Sequence, residues 1–238
     1  MKKAIVVGAS SGVGRELAKI LFKNGYEVGV MARRVPLLEE LRTELAGNLH
    51  IKAIDVMNTA SALEALSGLI AEMEGVDLIV VSAGIGDING NLKWPLEQET
   101  IQTNVMGFAA LTNVALHHFM QNGRGHFVGI SSIASLRGGR VAPAYNASKA
   151  FISNYMEGMR QKFRRLRLPI TVTDIRPGFI QTAMAKGPGV FWSAPAEKAA
   201  AQIYQAIERK ARVAYITRRW RLIALLMRWM PSFLYERL

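Results

Sequence analysis

The chain has 238 residues, half of them apolar and a fifth charged, which suffices for one sizeable buried core and excludes a disordered chain. It has no cysteine, which excludes disulfides, thiolate metal sites and cysteine nucleophiles; no metal site is expected, and an intracellular, cytoplasmic compartment fits. The formal net charge is +12, concentrated in two places: eight Lys or Arg against the single acid Glu236 from Arg209 onward, and five between Arg160 and Arg167.

In chain order, short apolar runs predict strands at Ala4–Val7, Val28–Met31, Ile51–Ile54, Leu78–Val81, His126–Ile130, Ile170–Ile175 and Val213–Ile216. Several are apolar throughout, the pattern of strands buried on both faces. Segments of helical spacing lie between them, at Gly14–Asn24, Pro36–Leu45, Thr59–Met73, Glu97–Gln121, Ala144–Arg167 and Pro195–Arg209. This alternation predicts an α/β fold, a single Rossmann-type doubly wound domain. Its seven-stranded, mostly parallel sheet would carry helices on both faces. No repeat, low-complexity stretch or linker interrupts residues 1–217. Residues 218–238 stand apart as an apolar and basic tail, part of the same domain or a membrane- or partner-contacting helix. The first apolar run has four residues before Gly8, short of the roughly seven of a signal-peptide core. No run approaches the roughly 18 residues of a membrane span.

The first strand runs into Gly8-Ala9-Ser10-Ser11-Gly12-Val13-Gly14, where a helix begins. Glycines there let the backbone turn sharply and approach a ligand, and a helix N-terminus offers free N–H groups to a pyrophosphate. Position after the first strand points to dinucleotide binding by Gly8, Ser10, Ser11, Gly12, Val13 and Gly14, although the spacing differs from G-x-G-x-x-G. The second strand ends at Ala32-Arg33-Arg34, where a site for NAD places an acid to hold the ribose hydroxyls. Two guanidiniums suit a 2′-phosphate instead, so NADP(H) is expected over NAD(H).

Farther along, Ser132 follows a buried strand, Tyr145 comes thirteen residues later and Lys149 four after that. On a helix, Tyr145 and Lys149 share a face and can project into one cleft. A phenol with its ordinary pKa near 10 is a poor acid–base group at neutral pH. A neighbouring ammonium would lower that value. Hydride reaching a carbonyl carbon leaves charge on the oxygen, which must take a proton, and such a pair can deliver it.

These landmarks together resemble the short-chain dehydrogenase/reductase family. Gly8–Gly14 resembles its glycine motif, Tyr145-Asn146-Ala147-Ser148-Lys149 its Tyr-x-x-x-Lys motif, and Ser132 its active-site serine. Asn104 matches its helix asparagine, Asp55-Val56 its adenine-contacting pair, and Pro177-Gly178 with Ile180 and Thr182 its nicotinamide-side segment. The resemblance covers about residues 4 to 216. It implies that Tyr145 is the general acid or base, that Lys149 holds the nicotinamide ribose, and that Ser132 bonds the substrate oxygen. It further implies that Asn104 holds a relay water, and that Ile180 and Thr182 meet the carboxamide. Where the family has Asn-Asn-Ala-Gly, this chain has Val81-Ser82-Ala83-Gly84. Ala83 and Gly84 keep the close backbone approach, but the contacts of both asparagine amides need another partner.

The resemblance makes residues 183–194 a substrate lid hinged at Gly187, Pro188 and Gly189, in which Met184, Phe191 and Trp192 could line an apolar pocket for a hydrophobic carbonyl compound or alcohol. It also implies a homodimer through Glu97–Gln121 and Ala144–Arg167. The tail carries Trp220 and Trp229 among arginines. It suits peripheral contact with an anionic membrane, or packing over the substrate pocket or another subunit. Two alternative functions stand beside a carbonyl reductase or alcohol dehydrogenase. One is a 3-oxoacyl-carrier-protein reductase, favoured by the basic surface and disfavoured by the unlike C-terminal segment. The other is a non-catalytic NADP-binding sensor, disfavoured by the complete Asn104, Ser132, Tyr145 and Lys149 set. Charge alone speaks for nucleic acid, with no reading helix or stacking motif, so no nucleic-acid partner is expected.

Overall fold

Alternate residues of a strand face opposite sides of a sheet, so a strand apolar at every position must be covered on both. The computed structural model, which describes residues 1–182 and 191–237, meets that demand with seven strands. They are β1 (Lys3–Val7), β2 (Glu27–Ala32), β3 (Leu49–Ala53), β4 (Leu78–Val81), β5 (Gly125–Ile130), β6 (Ile170–Pro177) and β7 (Val213–Ile216). All pair in parallel in the order β3-β2-β1-β4-β5-β6-β7. Ala4, Val6, Val30, Val80 and Val128 meet one helical layer, while Ile5, Val7, Ile79, Val81 and Phe127 meet the other.

The first layer is α1 (Gly12–Lys23), α2 (Val35–Leu45) and α7 (Ala196–Glu208). In α7, Ala199, Ala200, Ile203, Ala206 and Ile207 form the buried stripe expected of an amphipathic helix. The second layer is α3 (Thr59–Glu72), α4 (Trp94–Ile101), α5 (Phe108–Gln121) and α6 (Pro143–Leu166). Proline at the first or second position opens α2, α4 and α6, where its missing N–H costs nothing. Asn58 caps α3, its Oδ1 accepting from the Ser61 N–H at 3.2 Å.

The strand order places β1 between β2 and β4. The chain therefore leaves β1 and β4 in opposite directions, and the crevice this opens at their C-terminal ends is where open α/β sheets bind ligands. Two features differ from the hydropathy pattern. The single helix expected over Glu97–Gln121 begins at Trp94 and contains a π turn, Gln102–Gly107, between α4 and α5. The tail forms two further helices, α8 (Trp220–Trp229) and α9 (Ser232–Tyr235). Among the described residues no helix is long and apolar enough to cross a membrane.

Candidate active site

The crevice is built from glycine upward. Gly8, just past β1, has φ +89°, and a side chain there would come within 2.5 Å of the Ala83 nitrogen just past β4. A side chain at Gly14 would strike the Gly8 carbonyl, and Gly12 also has positive φ, +59°. These positions hold two strand ends and a helix start closer together than any Cβ allows. Ser11 is the N-cap of α1, yet no side chain caps that helix and no acid lies in its first turn. Ser10 and Val13 lie in the same turn. The cradle fits the pyrophosphate of a nicotinamide dinucleotide: it has room at the backbone, N–H donors and no competing carboxylate.

At the end of β2, Ala32 is buried and Arg33 and Arg34 are exposed. The Arg34 guanidinium donates to the hydroxyls of Ser10 (3.0 Å) and Ser11 (2.8 Å), which ties the basic group to the glycine turn. Arg33 lies at the same strand end and enters none of the described side-chain hydrogen bonds or ion pairs. Asp55, past β3, is exposed and accepts from the Met57 N–H at 3.0 Å. Val56 is buried, and its carbonyl lies against Gly107 in the π turn.

On the other side of the crevice, Ser132, Tyr145 and Lys149 come together. Ser132 ends the segment leaving β5 and caps a 3-10 turn, Ile133–Leu136, its Oγ accepting from the Ala134 N–H at 3.1 Å. Tyr145 and Lys149 lie in the first two turns of α6, with the Lys149 Nζ 5.7 Å from the centre of the Tyr145 ring. The Ser132 hydroxyl lies close enough to the Tyr145 phenol to favour its ionised form. Gly86 lies so close to the Tyr145 ring that a side chain there would overlap it. Lys149 is 4% exposed, and its Nζ donates to the Ile130 carbonyl at 3.0 Å. Burial brings its pKa down to about 8, against the pull of Asp174.

One expectation needs correction. Lys149 was expected to pull the Tyr145 pKa down. With the protein's own groups, burial pushes the phenol up, and the Ser132 hydroxyl opposes it. Desolvation of the phenolate is the largest cause of the shift.

Asn104 sits in the π turn and is fully buried. Its Oδ1 accepts from the Ile85 N–H (2.9 Å), and its Nδ2 donates to the Ile85 carbonyl (2.7 Å) and the Ser148 hydroxyl (3.0 Å). Both amide protons are thus engaged, and only one Oδ1 lone pair remains for the relay water the resemblance implies. A side chain at Gly84 would meet both the Asn104 Oδ1 and the Lys149 Nζ at 3.2 Å, so these two groups flank one point of backbone. Where the family has its asparagines, the backbone N–H groups of Ser82 (2.8 Å) and Ala83 (3.0 Å) both donate to the Val7 carbonyl.

The segment that the resemblance assigns to the nicotinamide side follows β6. Pro177 ends β6, and its carbonyl accepts from the Ser132 hydroxyl at a long 3.5 Å. Ile180 is bridged to Ala194, and Thr182 approaches Gly12 closely. The expected lid hinge Gly187-Pro188-Gly189 and Met184 lie outside the described residues. Phe191 and Trp192 are described, and they join Phe179 and Trp220 in one aromatic cluster with ring centres 5.1 to 6.2 Å apart. The Trp220 ring lies directly on Gly178.

Several supporting residues escaped the sequence reading. Asn146, inside the Tyr-Lys stretch, donates to the carbonyls of Ala134 (3.2 Å) and Arg137 (2.9 Å) and pins the 3-10 turn to α6. Asn89 ties the loop after β4 to Lys93 and Glu97 at the start of α4. Beneath the site, Asp174 is fully buried and accepts from the Ser131 hydroxyl and from the Arg176 Nε (2.7 Å). A run of Thr-Asp-Ile-Arg in a strand carries no signal that its two charges pair with each other.

Fold and site define the class: an oxidoreductase on a dinucleotide-binding sheet. The model of the short chain dehydrogenase family matches residues 2–189. An uncharacterized oxidoreductase of Myxococcus xanthus is 39% identical over 188 residues, 77% of this chain and 74% of the relative. The NADP-dependent 3-hydroxy acid dehydrogenase of Escherichia coli is 32% identical over 182 residues, 74% of this chain and 71% of the relative. A short-chain dehydrogenase from Streptomyces avermitilis superimposes with TM-score 0.83 at 24% identity, over 95% of this chain and 91% of that one. The chain belongs to the short-chain dehydrogenase family.

Proposed function

We propose that this chain is an NADP(H)-dependent carbonyl reductase or alcohol dehydrogenase acting on a hydrophobic substrate. The observation that carries the reading is the convergence of Ser132, Tyr145 and Lys149 beside a glycine cradle made for a pyrophosphate. The nicotinamide, when bound, supplies or accepts the hydride. The Ser132 hydroxyl orients the substrate oxygen, and Tyr145 gives that oxygen its proton as the carbon is reduced. Lys149, with a pKa of about 8, is largely an ammonium near neutrality and would hold the ribose while steadying developing phenolate charge. Asn104 and Ser148 hold the Ile85 backbone and the first turns of α6 in register, which positions both groups.

Arg34 at the end of β2, Ala32 in place of an acid, and the NADP dependence of the Escherichia coli relative support NADP(H). The cluster of Phe179, Phe191, Trp192 and Trp220 beside Gly178 supports an apolar substrate. A cytoplasmic location goes with this reading. The test is NADPH absorbance over a panel of long-chain and cyclic ketones, with Tyr145→Phe beside the wild type. Turnover should vanish in the variant while NADPH still binds; near-normal turnover by Tyr145→Phe would overturn the assignment.

A further inference from the structure

The tail is docked by one side only. Trp220 and Ala224, on the inner face of α8, are 3% and 2% exposed. The Arg137 guanidinium donates to the Met230 carbonyl at 3.0 Å, and the Tyr235 hydroxyl to the Gly138 carbonyl at 2.6 Å. Arg137 also stacks on the Tyr235 ring, 4.4 Å from its centre. With its inner face fastened at both ends, the helix cannot turn its other side into the core. That other side of α8 carries Leu222, Leu225, Leu226 and Trp229, and α9 adds Phe233 and Leu234, all 45% to 80% exposed. Contiguous apolar surface of this kind marks a contact that the isolated chain does not make.

Charge decides the occupant. Arg221 and Arg228 are exposed on the same helix, Arg218 and Arg219 precede it, and Arg237 follows. From Arg209 onward the sequence contains a single acid, Glu236, next to Arg237. A second copy meeting this surface through a two-fold axis would bring a second copy of the same arginine-rich patch against it. An anionic lipid surface meets the arginines with opposite charge and accepts the leucines and tryptophan below the headgroups.

We infer that the outer face of α8 and α9 is a peripheral binding surface for anionic membranes, with Leu222, Leu225, Leu226, Trp229 and Phe233 inserted and Arg221 and Arg228 at the headgroups. A ten-residue helix held from behind lies along the interface and does not span it. The same helix rests through Trp220 on Gly178, beside the proposed substrate side of the crevice, so binding brings that side towards the bilayer.

The test is co-sedimentation of the full chain with phosphatidylcholine vesicles, with and without phosphatidylglycerol. The protein should pellet with the anionic vesicles and stay in solution with the neutral ones, and added salt should release it. Arg228→Gln should weaken partition about fivefold, and Leu226→Gln with Trp229→Gln should abolish it. Unchanged circular-dichroism melting shows that these exposed substitutions leave the fold intact. Should the double variant melt early, Arg228→Gln and the salt series carry the test alone. Equal pelleting on both vesicles, or none on either, overturns the inference. So does lipid-free self-association that Leu226→Gln with Trp229→Gln disrupts, which would assign the face to a second copy. The readout is binding, so it stands or falls separately from the proposed reaction.

Discussion

Replacing Trp220 by alanine tests whether the tail is part of the machinery or an appendage. The indole is almost wholly buried on Gly178, with Phe191 at 5.1 Å, Phe179 at 5.6 Å and Trp192 at 6.2 Å. Removing a buried tryptophan costs about 3 to 5 kcal/mol. Its Nε1 is buried without an acceptor among the described residues, so its removal relieves about 1 kcal/mol of desolvation. The net loss is about 3 kcal/mol, and with a urea slope of about 3 kcal/mol per molar for a chain of this size, the midpoint falls by about 1 M. Trypsin should then cut sooner at Arg218, Arg219 and Arg221. Trp229→Ala is the control: that ring is 80% exposed, and its loss should move stability by less than about 0.5 kcal/mol. A Trp220→Ala midpoint and digestion rate equal to the wild type would refute the docking of α8 on the nicotinamide-side segment.

Two further outcomes follow from the site. Arg34→Glu should weaken NADPH binding about 10- to 100-fold, the worth of one charge-assisted contact plus the repulsion that replaces it, with NADH little changed in a fluorescence titration. An equal loss for both cofactors would instead assign Arg34 to bracing the Ser10–Ser11 turn. Lys149 has a folded pKa of about 8 against the usual 10.5, so between these values the unfolded chain binds the extra proton and stability rises with pH, by up to about 1.4 kcal/mol per unit. The buried phenols of Tyr26 and Tyr145, raised from 10.0, act in the opposite sense above pH 10, so urea midpoints are compared between pH 8 and 10. Lys149→Met should flatten that slope, and an unchanged slope would show that Lys149 is not the titrating group.

The strands and the candidate site residues were legible because both are marked by local patterns. Ala4–Val7 announces a strand covered on both faces, and Tyr145 and Lys149 at helical spacing announce a shared cleft. The glycine turn after the first strand marks where backbone must approach a ligand. Strand ends were less legible. β6 runs on to Pro177, through Arg176, because ladder hydrogen bonds and the pairing with Asp174 carry it past the apolar run. The π turn around Asn104 was hidden too, since hydropathy does not distinguish it from the α-helix on either side.

What the sequence by itself determined is therefore the order and type of the elements, the glycine turn after the first strand, and the short stretch that holds the candidate residues Ser132, Tyr145 and Lys149. Tertiary structure alone decided the rest. Asn104 meets Ser148 across 44 residues, Ser131 meets Asp174 across 43, and Arg137 meets Met230 across 93. It also decided that burial, rather than Lys149, sets the direction of the Tyr145 pKa. In the tail, composition showed an apolar and basic segment, but docking selected which face is core and which is left outward. Such pairings depend on how the sheet closes the chain on itself, and desolvation depends on everything packed around a group, so neither is written in any short window of residues.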